Sequence, residues 1–307
     1  MDRLEAMSML VAVTERGSFS AAARALDVPL ATLSRKVSDL ESQLGARLLI
    51  RTTRKLTLTD AGIAYVASAR RILEQVDEAE REAAGEFTQP KGELVLTAPI
   101  MFGRLHVLPV VAEFLAEYPE INIRLHLGDR NVDLIDDHVD MAVRFGALPD
   151  SSMVATPIGD MRTVTCASPA VLERHGMPDR PDALLDYPIV AVEIPLPTPA
   201  WRYRVPGSDT TLEIPVVPRL AVTTTEAAAQ AAIQGVGVTR LLHYQVADAV
   251  VRGELRIVLE TYEMEPAPVH LVHASRGRMP LKMRRFLDFS APRLRETLRQ
   301  ISEAGRG

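Results

Sequence analysis

Apolar side chains return every three or four positions through the first 87 residues of this chain; beyond that, helical and alternating patterns take turns. Leu4, Met7, Leu10, Val11 and Thr14 form a stripe that closes at Gly17, which predicts a first helix. Phe19, Ala22, Ala23 and Leu26 make a second, shorter one, with Ser18 or Ser20 placed to cap it. Asp27, Val28 and Pro29 interrupt the pattern, because proline lacks an N–H and biases its predecessor away from helix. Leu33, Val37, Leu40 and Leu44 then resume at helical spacing until Gly45. The other side of that third helix carries Ala31, Thr32, Ser34, Arg35, Ser38 and Ser42, small or hydroxylated residues around one long cation. After it, Thr52, Thr53, Thr57 and Leu58 favour an extended hairpin.

Residues 59–87 contain no proline, and no glycine between Gly62 and Gly85, so the pattern predicts one helix about 40 Å long. Val66, Ala69, Leu73, Val76, Ala83 and Phe87 line one side of it, broken by Arg70 and Glu80. Such a stripe is a seam for another helix. With no partner helix nearby in sequence, a second copy of the chain is the economical choice, giving a homodimer through Val66, Leu73, Val76 and Ala83. Packing back on its own domain is the competing reading.

Residues 88–92 read as a linker, and the periodicity then changes class. Strands are predicted at 94–98, 121–127 and 141–145, a helix at 105–118, and a short helix at 131–137 capped by Asn131. A second set starts after Ser151: a strand at 162–167, helices at 169–175, 226–233 and 243–251, strands around Gly235–Val238 and at 269–274, and a closing helix after Pro280. Alternation of this kind predicts an α/β fold: parallel sheets covered by helices, here as two lobes with a cleft between them. The domains expected are 1–59, a helix-turn-helix with a wing; 60–87, a linker helix; and 88–307, a two-lobed unit with lobe I at 91–160 and 268–300 and lobe II at 161–267.

Charge sharpens the first domain. The net charge is −5 over 307 residues, but residues 1–59 hold nine Lys and Arg against six Asp and Glu, so the head is +3 and the remainder −8. No acid lies between Ser42 and Thr59, where Arg47, Arg51, Arg54 and Lys55 all fall. A basic reading head on an acidic body fits DNA, with the third helix in the major groove and the hairpin on the phosphates. The candidate contacts are Ser20, Pro29, Ala31, Thr32, Ser34, Arg35, Lys36, Ser38, Arg51, Thr52, Thr53 and Arg54.

Other chemistry is sparse. A single cysteine, Cys166, rules out an internal disulfide and a cysteine-based zinc site, and reads as a buried thiol. His270 and His273 fall on opposite faces of a strand, the other histidines lack ligand spacing, and Gly235 and Gly237 give only GxG, so no metal, cofactor or enzymatic activity is expected. The N-terminus has no signal-peptide pattern and no run is long enough to span a membrane, which predicts a cytoplasmic protein. In the two-lobed unit, Thr97 and Thr223–Thr225 sit at strand-to-helix turns, and Arg144 lies on an otherwise apolar strand. Such groups suit a small anion. The competing reading pairs Arg144 internally with Asp129 or Asp140.

The segment FSAAARALDVPLATLSRKVSDLESQLGARLLIRTTRKLTLTDAG, followed by TAP at 97–99, DMAVRFG at 140–146, CASP at 166–169 and GVGV at 235–238, resembles the LysR-type bacterial transcriptional regulators over essentially the whole chain. The resemblance implies a winged helix-turn-helix, a dimerising linker helix and an effector domain similar to type 2 periplasmic binding proteins, assembled from dimers as a homotetramer that bends promoter DNA in response to a small molecule. It places the recognition helix at 29–44 and the wing at 47–57. It places effector contacts at Thr97, Ala98, Pro99, Arg144, Phe145, Thr163, Thr165, Thr223, Thr224 and Thr225. Leu242, where many members have proline, and Arg240, where an apolar residue is usual, depart from the pattern. The expected partners are double-stranded promoter DNA, a small-molecule effector, further copies of the chain and RNA polymerase. The alternative is a cytoplasmic solute-binding protein with an N-terminal assembly domain.

Overall fold

The computed structural model describes residues 2–51, 56–83, 89–148, 153–193, 200–208, 210–274 and 279–304; the side chains of 51, 78, 79, 81–83 and 304 lie outside that description. The chain forms two compact units, Met1–Gln89 and Pro90–Gly307.

In the first unit, α1 (Arg3–Arg16) starts on Asp2, whose carboxylate accepts the N–H groups of Leu4 and Glu5 at 3.0 and 3.3 Å, and stops at Gly17 in the left-handed region. Ser18 Oγ accepts the Ala21 N–H at 3.0 Å and opens α2 (Phe19–Ala25), so Ser18, not Ser20, is the cap. α3 (Leu30–Leu44) begins after Pro29 and ends at Gly45, φ 64°. The wing is β1 (Leu49–Arg51) paired antiparallel with β2 (Leu56–Leu58). α4 (Asp60–Ala83) follows, capped by Thr59, whose Oγ1 accepts the Gly62 N–H at 2.9 Å and donates to the Arg47 carbonyl.

The core of this unit joins Ala6, Leu10 and Val13 of α1 to Ala22, Leu33, Val37, Leu40, Leu48 and Val66. Three residues expected inside are exposed: Leu4, Leu26 and Leu44. Each lies in the first or last turn of its helix or at its end, beyond the reach of the packed helices. The inner face of α1 is correspondingly rotated towards Ala6, Met9 and Val13.

The second unit contains two five-stranded sheets. Lobe I orders its strands β4-β3-β5-β14-β6, with β3 (Gly92–Ala98), β4 (Ile121–Leu127), β5 (Met141–Phe145), β6 (Met153–Met161) and β14 (Ala267–Ala274). After β3 the chain runs through α5 (Ile100–Phe102), a π-helical turn at Gly103–Val107 and α6 (Leu108–Glu117). Lobe II orders β11-β8-β12-β7-β13, with β7 (Thr163–Ala167), β8 (Ile189–Val192), β11 (Leu220–Val222), β12 (Val238–Leu242) and β13 (Arg256–Val258). The hairpin β9 (Ala200–Arg204) and β10 (Thr211–Pro215) and the helices α7 (Pro169–His175), α8 (Thr225–Ile233) and α9 (Ala247–Val251) complete it. The closing helix α10 (Leu281–Ala304) returns to lobe I and buries Phe286, Phe289, Leu294 and Leu298 in its core.

The expectation of purely parallel sheets is corrected. β14 runs antiparallel to β5 and β6, and β7 antiparallel to β12 and β13. The chain leaves lobe I along β6, enters lobe II along β7 and returns on β14, so the crossing strands run against their neighbours. β6 itself was not legible from the pattern, because Pro157 and Gly159 break its alternation, as suits an edge strand. The helix expected at 131–137 is instead a set of turns built on Asp133, whose carboxylate accepts the N–H groups of Ile135 and Asp136 at 2.8 and 3.0 Å. A short acidic side chain there competes with helical bonding. Gly237 is fixed by close approach: a Cβ would overlap the Pro188 carbonyl, which accepts the Val238 N–H at 2.8 Å.

Candidate functional site

On α3 the two faces separate. Leu33, Val37 and Leu40 are fully buried, and each contributes about 1.5–3 kcal/mol by leaving water. Ala31, Arg35 and Ser38 stand exposed, with Thr32 and Ser34 half-buried beside them; Ser20 and Pro29 are exposed at the neighbouring turns. Lys36 departs from this face: its ammonium is ion-paired to Glu5 on α1, which binds the two helices together. Glu41 was not anticipated. Its Oε1 accepts the N–H groups of Leu48 at 2.7 Å and Leu49 at 3.0 Å, so one carboxylate on α3 holds the start of the wing strand. An acid at 41 looks unhelpful for DNA until this inward role is seen. Arg51 ends β1, but its side chain, and Thr52, Thr53 and Arg54 entirely, lie outside the described residues.

α4 divides its stripe. Val66 and Ala69 are buried, Val66 in the core of the reading head, and Arg70 reaches Glu15 of α1 at 3.2 Å. Val66 therefore serves its own domain, which corrects its place in a dimer seam. Further along, Leu73 and Val76 are half-buried and Ile72 is exposed; the side chain of Ala83 lies outside the described residues.

In the second unit the cleft candidates fall at strand ends and helix starts. Thr97 and Ala98 close β3 and are largely buried, and Pro99 precedes α5. The first amide there is occupied: Asp129 accepts the Ile100 N–H at 3.0 Å. Arg144 donates to the Val132 carbonyl and makes no ion pair among the described residues. Neither proposed internal partner holds it, since Asp129 caps Ile100 and Asp140 accepts the Val95 N–H at 2.8 Å. Burial lowers the Arg144 pKa, with Asp133 opposing. Thr163 is half-exposed at the start of β7. Thr165 is corrected: it is buried, and its hydroxyl is shared with Tyr203 at 2.8 Å inside lobe II. Thr223 and Thr224 are exposed ahead of α8, and Thr224 Oγ1 caps the helix by accepting the Ala227 N–H at 3.2 Å.

Phe145 sits in an aromatic group with Phe102 and Tyr244, ring centroids 5.1 to 5.8 Å apart, with His106 on its edge. Tyr244 leaves lobe II just after β12 and is buried in the lobe I core, so this group joins the lobes. Arg104 of the π-helical turn reaches Glu226 of α8 at 2.7 Å and makes a second link. Neither was readable from sequence. Of the two departures, Leu242 packs against the lobe I core, and Arg240 lies over the Tyr203 ring, donating to the Arg202 carbonyl at 2.9 Å with its buried Nε unbonded.

A three-helix head with a hairpin wing, joined in one chain to a two-lobed α/β unit, defines DNA-binding regulators that carry their own ligand domain. Residues 4–63 match the family described as bacterial regulatory helix-turn-helix protein, lysR family, and residues 87–295 match the LysR substrate binding domain; the chain belongs to the LysR-type transcriptional regulators. An HTH-type transcriptional regulator of Xanthomonas campestris pv. campestris is 38% identical over 93% of this chain and 84% of its own length. Among solved structures, that of CrgA, a LysR-type transcriptional regulator from Neisseria meningitidis, is similar at a TM-score of 0.59 with 31% identity, covering 96% of this chain and 98% of that one. The Vibrio cholerae virulence activator AphB is similar at 0.59 with 26% identity, covering 94% and 98%. The protein is thus a DNA-binding transcriptional regulator with an effector-binding domain, of the architecture seen in those relatives.

Proposed function

We propose that this regulator reads promoter DNA through Ala31, Thr32, Ser34, Arg35 and Ser38, with Ser20 and Pro29 at the groove edge and Arg51, Thr52, Thr53 and Arg54 on the phosphates. The observation that carries this is the division of α3 into a buried Leu33–Val37–Leu40 side and an exposed side of small residues around Arg35. Small side chains admit close approach, and a guanidinium can take guanine bidentately. Two copies join through the outer half of α4, around Leu73 and Val76, with Ala83 as its continuation. Pairing of two such dimers into a tetramer and contact with RNA polymerase complete the assembly, which works in the cytoplasm on the nucleoid and without enzymatic activity of its own.

The effector on this reading is small and anionic. Arg144 supports it, a half-buried cation that makes no ion pair among the described residues, as do the exposed hydroxyls of Thr223 and Thr224 ahead of α8. Thr97 to Pro99 contribute shape more than charge, because Asp129 already occupies the first amide.

A gel-shift assay on the DNA upstream of the coding region tests the reading. Affinity should fall steeply with salt, since phosphate contacts release counterions, and should change when the effector is added. Salt-independent binding would count against it. For the anion, calorimetry of Arg144→Ala should show weakened effector binding; unchanged affinity would sink that part.

A further inference from the structure

A cavity of about 200 Å³ lies where the chain passes between the lobes, and none of its lining residues is assigned above to DNA or effector. Asp160, Met161 and Arg162 line it from the β6–β7 crossing, Pro266 from the return crossing before β14, and His243 from the turn that carries Tyr244 into lobe I. Ile301 closes it from the last turns of α10. For scale, a cavity of about 150 Å³ can hold benzene.

Three observations say what this space would take. His243 is 2% exposed and lines the cavity, its backbone N–H is held by the Arg162 carbonyl at 2.9 Å, yet its ring makes no hydrogen bond among the described residues. Burial next to the Arg162 cation lowers its pKa, with Glu260 opposing, so the ring is neutral and able to accept a proton donor. The cations close by are already answered. Arg162 meets Glu263 through two bonds of 2.8 Å and Glu260 at 3.1 Å, and Arg299 on α10 meets Glu296 and Glu303. Asp160 is the carboxylate on the wall that has no hydrogen bond or ion pair among the described residues. Of the remaining lining, Met161, Pro266 and Ile301 are apolar, and Ser302 adds one hydroxyl at the end of α10.

We propose that this hinge cavity is a second small-molecule site, and that its ligand is a small organic ammonium ion whose N–H groups meet Asp160 and the His243 ring while its hydrocarbon part packs on Met161, Pro266 and Ile301. The walls belong to both crossings between the lobes, so occupancy couples to the angle between them. The protein then has two inputs of opposite charge: the effector in the cleft and a cation at the hinge.

Calorimetric titration of the full chain with n-butylammonium, butyrate and n-butanol, without DNA or effector, tests the site. Butylammonium should bind saturably in the millimolar range or tighter, and butyrate should not. Asp160→Asn should weaken butylammonium by about tenfold or more while leaving DNA affinity in the absence of amine unchanged. Ile301→Phe, which fills the space from a different element, should abolish binding, so the test survives if one variant fails to fold. Equal binding of all three probes, no saturable binding of butylammonium, or undiminished binding by folded Asp160→Asn would overturn the proposal. Because neither DNA nor effector enters the amine titration, its failure and the failure of the promoter-binding reading are separate results.

Discussion

Gly62 sits where α4 passes closest to the wing, and a Cβ there would overlap the Leu48 carbonyl oxygen, the group that accepts the Thr59 N–H at 3.0 Å. Backbone cannot yield as a side chain tip can. Gly62→Ala should therefore cost about 1–3 kcal/mol of reading-head stability, measured by chemical denaturation, with DNA binding lost in parallel. On the outward face, Arg35→Ala should relax base discrimination, whereas Arg51→Ala should weaken all DNA alike and lower the salt slope; identical behaviour across promoter variants would refute that division. His106 and His243 both contribute to the pH response. Burial lowers the pKa of His106 in the aromatic group, against the pull of Asp248. The folded chain holds this ring neutral while the unfolded chain takes up a proton near pH 6.5, so its contribution is full above about 6.5 and is lost as pH falls below it. Replacing it, as in His106→Phe, should reduce the drop in thermal midpoint between about pH 7.5 and pH 5.5, with a remainder from His243, which is lowered in the same sense. Single-residue roles were legible where periodicity spoke, as for Leu33, Val37 and Leu40. They were hidden where a polar group turns inward: Lys36 to Glu5, Glu41 to the wing amides and Thr165 to Tyr203 look, in sequence, like surface or ligand-facing residues.

Among the elements, α4 shows how one apolar stripe can serve two masters. Its inner half is held by α1, through Val66, Ala69 and the Arg70–Glu15 pair, whereas Ile72 is exposed and Leu73 and Val76 beyond it are only half-buried. Val76→Asp should convert a dimer to monomer in sedimentation, because a carboxylate in an apolar seam costs on the order of 2–3 kcal/mol, about a hundredfold in association. Val66→Asp should do something different: unfold the head, since that position is core. A heptad-like count does not distinguish these outcomes, because the spacing is the same whichever helix lies opposite. The sheets were legible as alternation but not in direction. β6 was concealed by Pro157 and Gly159, and antiparallel crossings leave no local mark on β7 or β14.

At the scale of the effector unit, the residues that tie its lobes together come from far apart in sequence. Arg104 and Glu226 are separated by 122 positions, which is why no pattern announced them. Their ion pair is half-exposed on both sides, so it contributes no more than about 1 kcal/mol and less in high salt. The aromatic contacts of Tyr244 with Phe102 and Phe145, buried in the lobe I core, form the stronger joint. The ion pair is thus suited to tuning the lobe angle and poorly suited to holding it. Arg104→Ala and Glu226→Ala should each weaken effector binding by up to about fivefold, the factor that 1 kcal/mol allows, without lowering the thermal midpoint appreciably. The double variant should be no weaker than either single one, since the second change removes a partner already lost. Additive losses in that cycle would mean that each residue meets the effector directly; strictly non-additive losses that shrink with added salt would identify the pair as a latch across the cleft.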